Sequence, residues 1–267
     1  MGDNSHKFVP ALRSQTDFLQ IQNVNKNKKI EDILKKTKKE ILIGFLGIEK
    51  YEIILYLSRI LRQLNKRVLV LDCSENGALD AGVCYFREQP TVYGKIQDYR
   101  GIDYVNYTLQ DYIDTEEYYV FEEKRKEYDF ILIDFGFLRI HPLMSACNRY
   151  FFVSDQQRHN ILRIKEAVKK CSVPFIVVLR DVLACKVSLS YFTDFIEENK
   201  CAEEIQILYR NETDTREQIQ CQYGQAVNFQ KLSKDTKEFL KSIVKTLLPN
   251  CTKEEIIKAL KRAERGK

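Results

Sequence analysis

From residue 41 onward, short apolar runs alternate with longer stretches of helical spacing. The runs are ILIGFL, RVLVLD, DFILIDF, RYFFVS, FIVVLR and EIQILY, each apolar at nearly every position. Runs of this length suit strands buried on both faces, as in a parallel sheet. Between them, apolar residues recur every three or four positions. In 51–64 they are Ile53, Leu57, Ile60, Leu61 and Leu64. In 156–170 they are Ile161, Ile164 and Val168, and in 234–248 Phe239, Leu240, Ile243, Val244 and Leu247. That spacing predicts amphipathic helices. Strand and helix taking turns imply right-handed crossovers and an α/β fold: a doubly wound, mostly parallel sheet with helices on both faces.

The ends of the chain read differently. Residues 1–38 are rich in Asn, Gln and Ser before a lysine-rich stretch, and predict a flexible arm with a short basic helix around Ile30, Ile33 and Leu34. Residues 39–250 predict one α/β domain, since no repeat and no Pro/Gly/Ser linker interrupts them. Residues 251–267 predict a basic amphipathic helix, with Ile256, Ile257 and Leu260 against Lys253, Lys258, Lys261, Arg262 and Arg265. Its three large apolar side chains bury little surface. A solvated or partner-binding helix is the primary reading, and peripheral contact with a membrane surface is the alternative.

Composition narrows the function classes. The 267 residues are 44% hydrophobic and 30% charged with five Pro and ten Gly, which suits a globular protein and excludes a fibrous or disordered one. The net charge of +5 permits contact with nucleic acid without requiring it. Acids dilute the lysines of 26–39 and no aromatic is interleaved with them, so a solvated face is expected there rather than a nucleic-acid site. Eight cysteines form no CxxC pair and only three histidines are present, so no metal site is expected. Reduced thiols, no apolar leader and no apolar stretch of membrane-spanning length point to a cytoplasmic protein, with the inner membrane face as its other candidate location.

The chemistry is expected beyond the carboxyl ends of the strands, where doubly wound sheets place ligands. There ILIGFLGIEK runs from a strand through Gly44 and Gly47 to Lys50 and into a helix, the order of a phosphate-binding P-loop. Asp72 ends VLVLD and Asp134 ends FILID. Two strand-end carboxylates beside a glycine loop and a lysine suit phosphate and Mg²⁺ chemistry. A strand-end Asp is equally often a cap for the next turn.

These segments resemble the ParA/MinD group of P-loop ATPases, the deviant-Walker class. ILIGFLGIEKYEIILYLSRILRQLNKRVLVLD is similar to the opening of that family and YDFILIDFGF to its Walker B strand. CNRYFFVSDQQRHNILRIKEAV, VPFIVVLR and EQIQCQYGQAVNFQKLSKDTKEFLKSIVKTLL resemble its later strands, closing loop and helix. The resemblance spans roughly residues 39–249 and implies a P-loop NTPase-like fold. Aligned with the family loop, Lys50 falls on the P-loop lysine and Gly47 on a glycine. Phe45 replaces the signature lysine that reaches across a dimer, Leu46 and Glu49 replace two glycines, and Tyr51 replaces the Mg²⁺-ligating hydroxyl residue. Ser74 stands where the family has a second carboxylate, Phe135-Gly136 where it has Thr-Pro, and Arg180 where an Asn reads adenine.

Glycine-free positions cannot cheaply wrap phosphate, and Glu49 adds a negative charge to the loop. Glu49 is expected either to face solvent or to pair with Lys50. The resemblance, so altered, implies a pseudo-ATPase with no catalytic residue. Gly44, Gly47, Lys50, Asp72 and Asp134 remain as a weak ATP site without a dependable Mg²⁺ ligand set. It further implies a scaffold or localisation factor, by analogy with TadZ/CpaE-like pilus and secretion localisers. Its partners would be a protein of that assembly and a second copy of the chain. The alternatives are a nucleotide-binding switch and a slow ATPase that positions DNA or a membrane complex.

Overall fold

A computed structural model describes residues 40–80, 94–99, 101–107, 123–137, 141–186, 199–223 and 229–264, with isolated positions between 187 and 198. The expected N-terminal arm and basic helix, residues 1–38, lie outside these residues. The described elements in chain order are β1 (Ile41–Gly47), α1 (Tyr51–Gln63), β2 (Val68–Asp72), β3 (Gln97–Tyr99), β4 (Ile102–Asn106), β5 (Phe130–Asp134) and β6 (Arg149–Ser154). They continue with α2 (Arg158–Lys169), β7 (Phe175–Val182), β8 (Ala202–Tyr209), α3 (Glu212–Tyr223), α4 (Lys234–Leu247) and α5 (Lys253–Glu264).

The strands form one sheet in the order β3-β4-β2-β5-β1-β6-β7-β8. All neighbours are parallel except the β3–β4 pair, which is antiparallel. This is the doubly wound α/β architecture that the alternating runs predict. The strands of the sheet's middle are apolar at nearly every position because both faces are covered. Side chains at alternate positions divide between two cores. Ile43, Phe45, Val70, Leu132 and Val153 pack under α1, α4 and α5. Leu42, Leu46, Leu71, Ile133 and Phe152 pack on the opposite side with Ile161, Ile164 and Val168 of α2.

Two short strands, β3 and β4, escape a reading based on apolar runs, since QDY and IDYVN hold few aliphatic residues. Gly101, at φ +79, makes the turn between them.

Helix α5 departs from its expected setting. Ile256, Ala259, Leu260 and Ala263 are buried in the same core as α1 and α4, and Lys237 of α4 is ion-paired to Glu264 at 3.0 Å. Of the three apolar residues read as available for a membrane or a partner, Ile256 and Leu260 are covered by the domain itself and Ile257 is partly buried. No helix among the described residues is long and apolar enough to cross a membrane.

Candidate functional site

At the carboxyl ends of the central strands the sheet register sets Phe45, Asp72 and Asp134 side by side. Only Ile48, Glu49 and Lys50 separate β1 from α1. β1 remains hydrogen bonded through the positions where a phosphate loop would leave the sheet: Leu46 pairs with Phe152 and Gly47 with Val153 of β6. The Gly47 amide donates to the Gly136 carbonyl (2.9 Å) and the Ile48 amide to the Val153 carbonyl (3.0 Å). These two N–H groups are therefore committed to the sheet and cannot cradle phosphate.

The two glycines have structural tasks. Gly44 lies mid-strand, where a Cβ would come within 2.5 Å of the Tyr150 ring and 2.9 Å of Phe135. It is a packing glycine within β1, ahead of the turn into α1. Gly47, at φ +125, ends the strand with backbone so close that a Cβ would stand 1.8 Å from the Val153 carbonyl oxygen. Phe45, at the signature-lysine position, is fully buried and stacks on Phe151 with ring centroids 4.9 Å apart. It can reach no partner molecule.

Lys50, Asp72 and Asp134 do converge. Lys50, only 2% exposed, turns inward to an ion pair with Asp134 at 2.7 Å. Its Nζ also donates to the carbonyls of Gly47 (3.3 Å) and Gly136 (3.2 Å). All three donors of the ammonium group are thus engaged by the protein. Asp134 in addition accepts from the Gly136 amide (2.9 Å).

Asp72 acts as a cap. One carboxylate oxygen accepts from the Ser74 amide (3.0 Å) and hydroxyl (2.6 Å), and the other from the Asp80 amide (2.7 Å). Burial, followed by the charge of adjacent Asp134, pushes its carboxyl up to about 7, against the pull of those hydrogen bonds. Ser74, the position of the family's second carboxylate, is spent on Asp72. Among the described residues, no group of three or more His, Cys, Asp and Glu side chains is arranged to hold a metal ion.

A second ion pair occupies the mouth of the loop. Arg180, at the end of β7, bonds Glu52 in the first turn of α1, and both are buried. The same guanidinium donates to the Glu49 carbonyl (2.7 Å), Asp181 (2.9 Å) and the Gln218 side chain of α3 (3.0 Å). Desolvation raises the Glu52 carboxyl, with Arg180 opposing. Burial alone would lower the Arg180 pKa, but Glu52 and Asp181 overturn that and raise it. Asp181 takes the left-handed φ of +54 in an irregularity of the β7–β8 pairing. Tyr51, at the Mg²⁺-ligand position, is buried and its hydroxyl donates to the Gln218 carbonyl (3.2 Å). Helix α3 is thereby tied to the start of α1.

Glu49 takes the solvent-facing alternative: it is exposed and accepts from Asn76 at 2.6 Å. Desolvation beside the loop raises its carboxyl, and nearby Lys50 acts in the other direction. Glu75 accepts from the Phe137 amide (3.1 Å) and lies where any Cβ on Gly136 would stand. The parts that sequence reasoning misses are thus Glu52, Glu75 and Gln218. Of these, only Glu52 carried a signal, a carboxylate in the first turn of a helix that follows a lysine.

No protein-family model matches the sequence, and no curated protein does. Solved structures do. The MinC:MinD cell division protein complex of Aquifex aeolicus matches at TM-score 0.51 and 17% identity, over 83% of this chain and 95% of that one. A ParA family ATPase of Chlorobium tepidum TLS matches at 0.50 and 15%, over 83% and 97%. The ATP complex of a McdA variant from Cyanothece matches at 0.50 and 10%, over 68% and 88%. With its eight-stranded sheet, its strand-end carboxylates and the lysine that opens α1, the chain has the fold of the MinD and ParA ATPases.

Proposed function

We propose that the protein is a pseudo-ATPase that works as a scaffold or localisation factor: it keeps the MinD/ParA fold while protein groups take the place of the nucleotide's charges. One observation carries this reading. Both cations near the loop are already neutralised from within, Lys50 by Asp134 and Arg180 by Glu52. A triphosphate would have to displace buried carboxylates from two cations, each exchange opposed by the cost of stranding a buried charge. β1 would also have to leave the sheet at Gly47 and Ile48 to free amides for it. The MinC:MinD complex among the similar structures supports a protein partner. A pilus or secretion machine is the assembly we assign, by analogy alone.

A nucleotide-binding switch is the second reading, favoured by the convergence of Lys50, Asp72 and Asp134 at the strand ends where such folds take ligands. Titration of ATP and ADP by calorimetry, with and without Mg²⁺ and alongside phosphate release, separates the two. The expected result is neither binding at high micromolar nucleotide nor release. Binding without turnover selects the switch, and turnover lost in Lys50→Ala overturns both in favour of a slow ATPase.

A further inference from the structure

We infer that the cleft beside Arg180 is a binding site for an organic cation, a guanidinium or ammonium group carried on a short aliphatic stem. The cleft encloses about 420 Å³ between the start of α1, the ends of β7 and β8, and the facing sides of α3 and α4. That is the size of a small-molecule site. Its charge is opposite to that of the chain. Three carboxylates, of Glu52, Asp181 and Asp214, line it with one guanidinium, that of Arg180, a formal excess of two negative charges in a protein of net charge +5. Glu52 and Asp181 share Arg180 between them. Asp181 reaches it through Oδ2, and 43% of its side chain is exposed, which leaves Oδ1 for an incoming donor. Asp214 is bonded by the Ser233 and Thr236 hydroxyls and has no ion pair among the described residues. An anionic ligand would meet net repulsion here, whereas a cation gains charge-assisted hydrogen bonds.

Tyr56 is an independent sign of a missing donor. It lies one turn beyond Glu52 on the face of α1 that lines the cleft. It is 1% exposed, and its hydroxyl has no hydrogen-bond partner. The Cys221 thiol beside it is a weak bonding group. Burial, followed by the influence of Cys221 and Glu52, raises the pKa of this phenol, so it stays protonated and keeps an oxygen lone pair to offer. A buried polar atom without a partner is costly, and a donor entering the cleft relieves that cost. The walls suit the rest of such a ligand. Ile53, Leu208 and Leu240 are aliphatic and cover a stem of methylenes. Tyr209 and Phe239 are aromatic, the side chains on which a flat guanidinium stacks. Lys50 and Asp134 do not line the cleft, so its occupancy is separate from that of the phosphate-loop position.

Calorimetry of the full chain without nucleotide tests the cleft with two probes. n-Butylguanidinium stands for a free small cation, and a blocked tripeptide with a central arginine for the side chain of a partner protein. Saturable binding of at least one is expected, and the tighter of the two identifies the source. Asp181→Asn should weaken it about tenfold or more, and Tyr56→Phe about threefold or more. Tyr56→Phe should leave thermal stability unchanged or raised, because the hydroxyl it removes makes no hydrogen bond, so weaker binding there cannot come from misfolding. No binding of either probe at about 10 mM overturns the inference. So does binding that both variants retain at full strength. Adenosine binding more tightly than either probe also overturns it, since the cleft would then be a base pocket.

Discussion

Lys50 and Asp134 lie 2.7 Å apart with almost no exposed surface, and removing either strands a charge in the core. Lys50→Met or Asp134→Leu alone is therefore expected to cost about 3–5 kcal/mol in urea denaturation, and the two together far less than their sum. A nucleotide-binding lysine spared an internal pair would show little such loss. Asp72 makes the opposite kind of prediction. Its carboxyl is raised to about 7 in the fold from an ordinary value near 3.8, so between those values the folded state holds the extra proton. Stability is thus fully supported below about pH 4 and falls as pH rises toward 7, by at most about 1.4 kcal/mol per pH unit from this group. Asp72→Asn should flatten that slope in denaturation curves taken between pH 5 and 8.

At the level of elements, the strand-to-helix turn is the informative one. Glycine at 47 answers to a positive φ and a carbonyl at contact distance, so Gly47→Ala should lower stability by more than about 3 kcal/mol or prevent folding. Thermal denaturation checks it. The flanks of this turn were legible because VLVLD, FILID and RYFFVS carry buried-strand patterns and end in identifiable residues. Its interior was not. Whether Lys50 faces a ligand or Asp134 depends on an ångström-scale distance between two loops, and no spacing rule encodes that. Helix α3 was illegible for another reason. It turns Asp214 and Glu217 inward, and leaves Ile219 and Tyr223 more than half exposed. Asp214 receives the Ser233 amide (2.7 Å) and hydroxyl (2.6 Å) at the start of α4. A helix whose buried face is polar shows no apolar stripe to read.

For the whole molecule, the C-terminal helix decides how the chain meets its surroundings. Leu260 and Ile256 close the core over α1 and α4, and Leu260→Ala is expected to cost about 2–5 kcal/mol. Flotation with anionic liposomes should be no stronger for the full chain than for one lacking residues 252–267. A truncated chain that floats less would return the helix to the membrane. The doubly wound, mostly parallel sheet with helices on both faces followed from the alternating runs, because binary patterning and chain crossover rules act over the entire domain. The fate of the α5 apolar face did not follow, because the same stripe fits a bilayer, a partner or the domain's own flank.

One guanidinium, that of Arg180, joins the loop before α1, the first turn of that helix, the end of β7 and the side of α3. A nucleotide that switched this loop would have to move these parts against one another. Here one buried side chain ties them at a common point. On the function proposed above, such a molecule holds the same shape in a starved cell as in a growing one. Its timing would then come from synthesis, degradation or the supply of its partner. It would serve as a landmark rather than a clock.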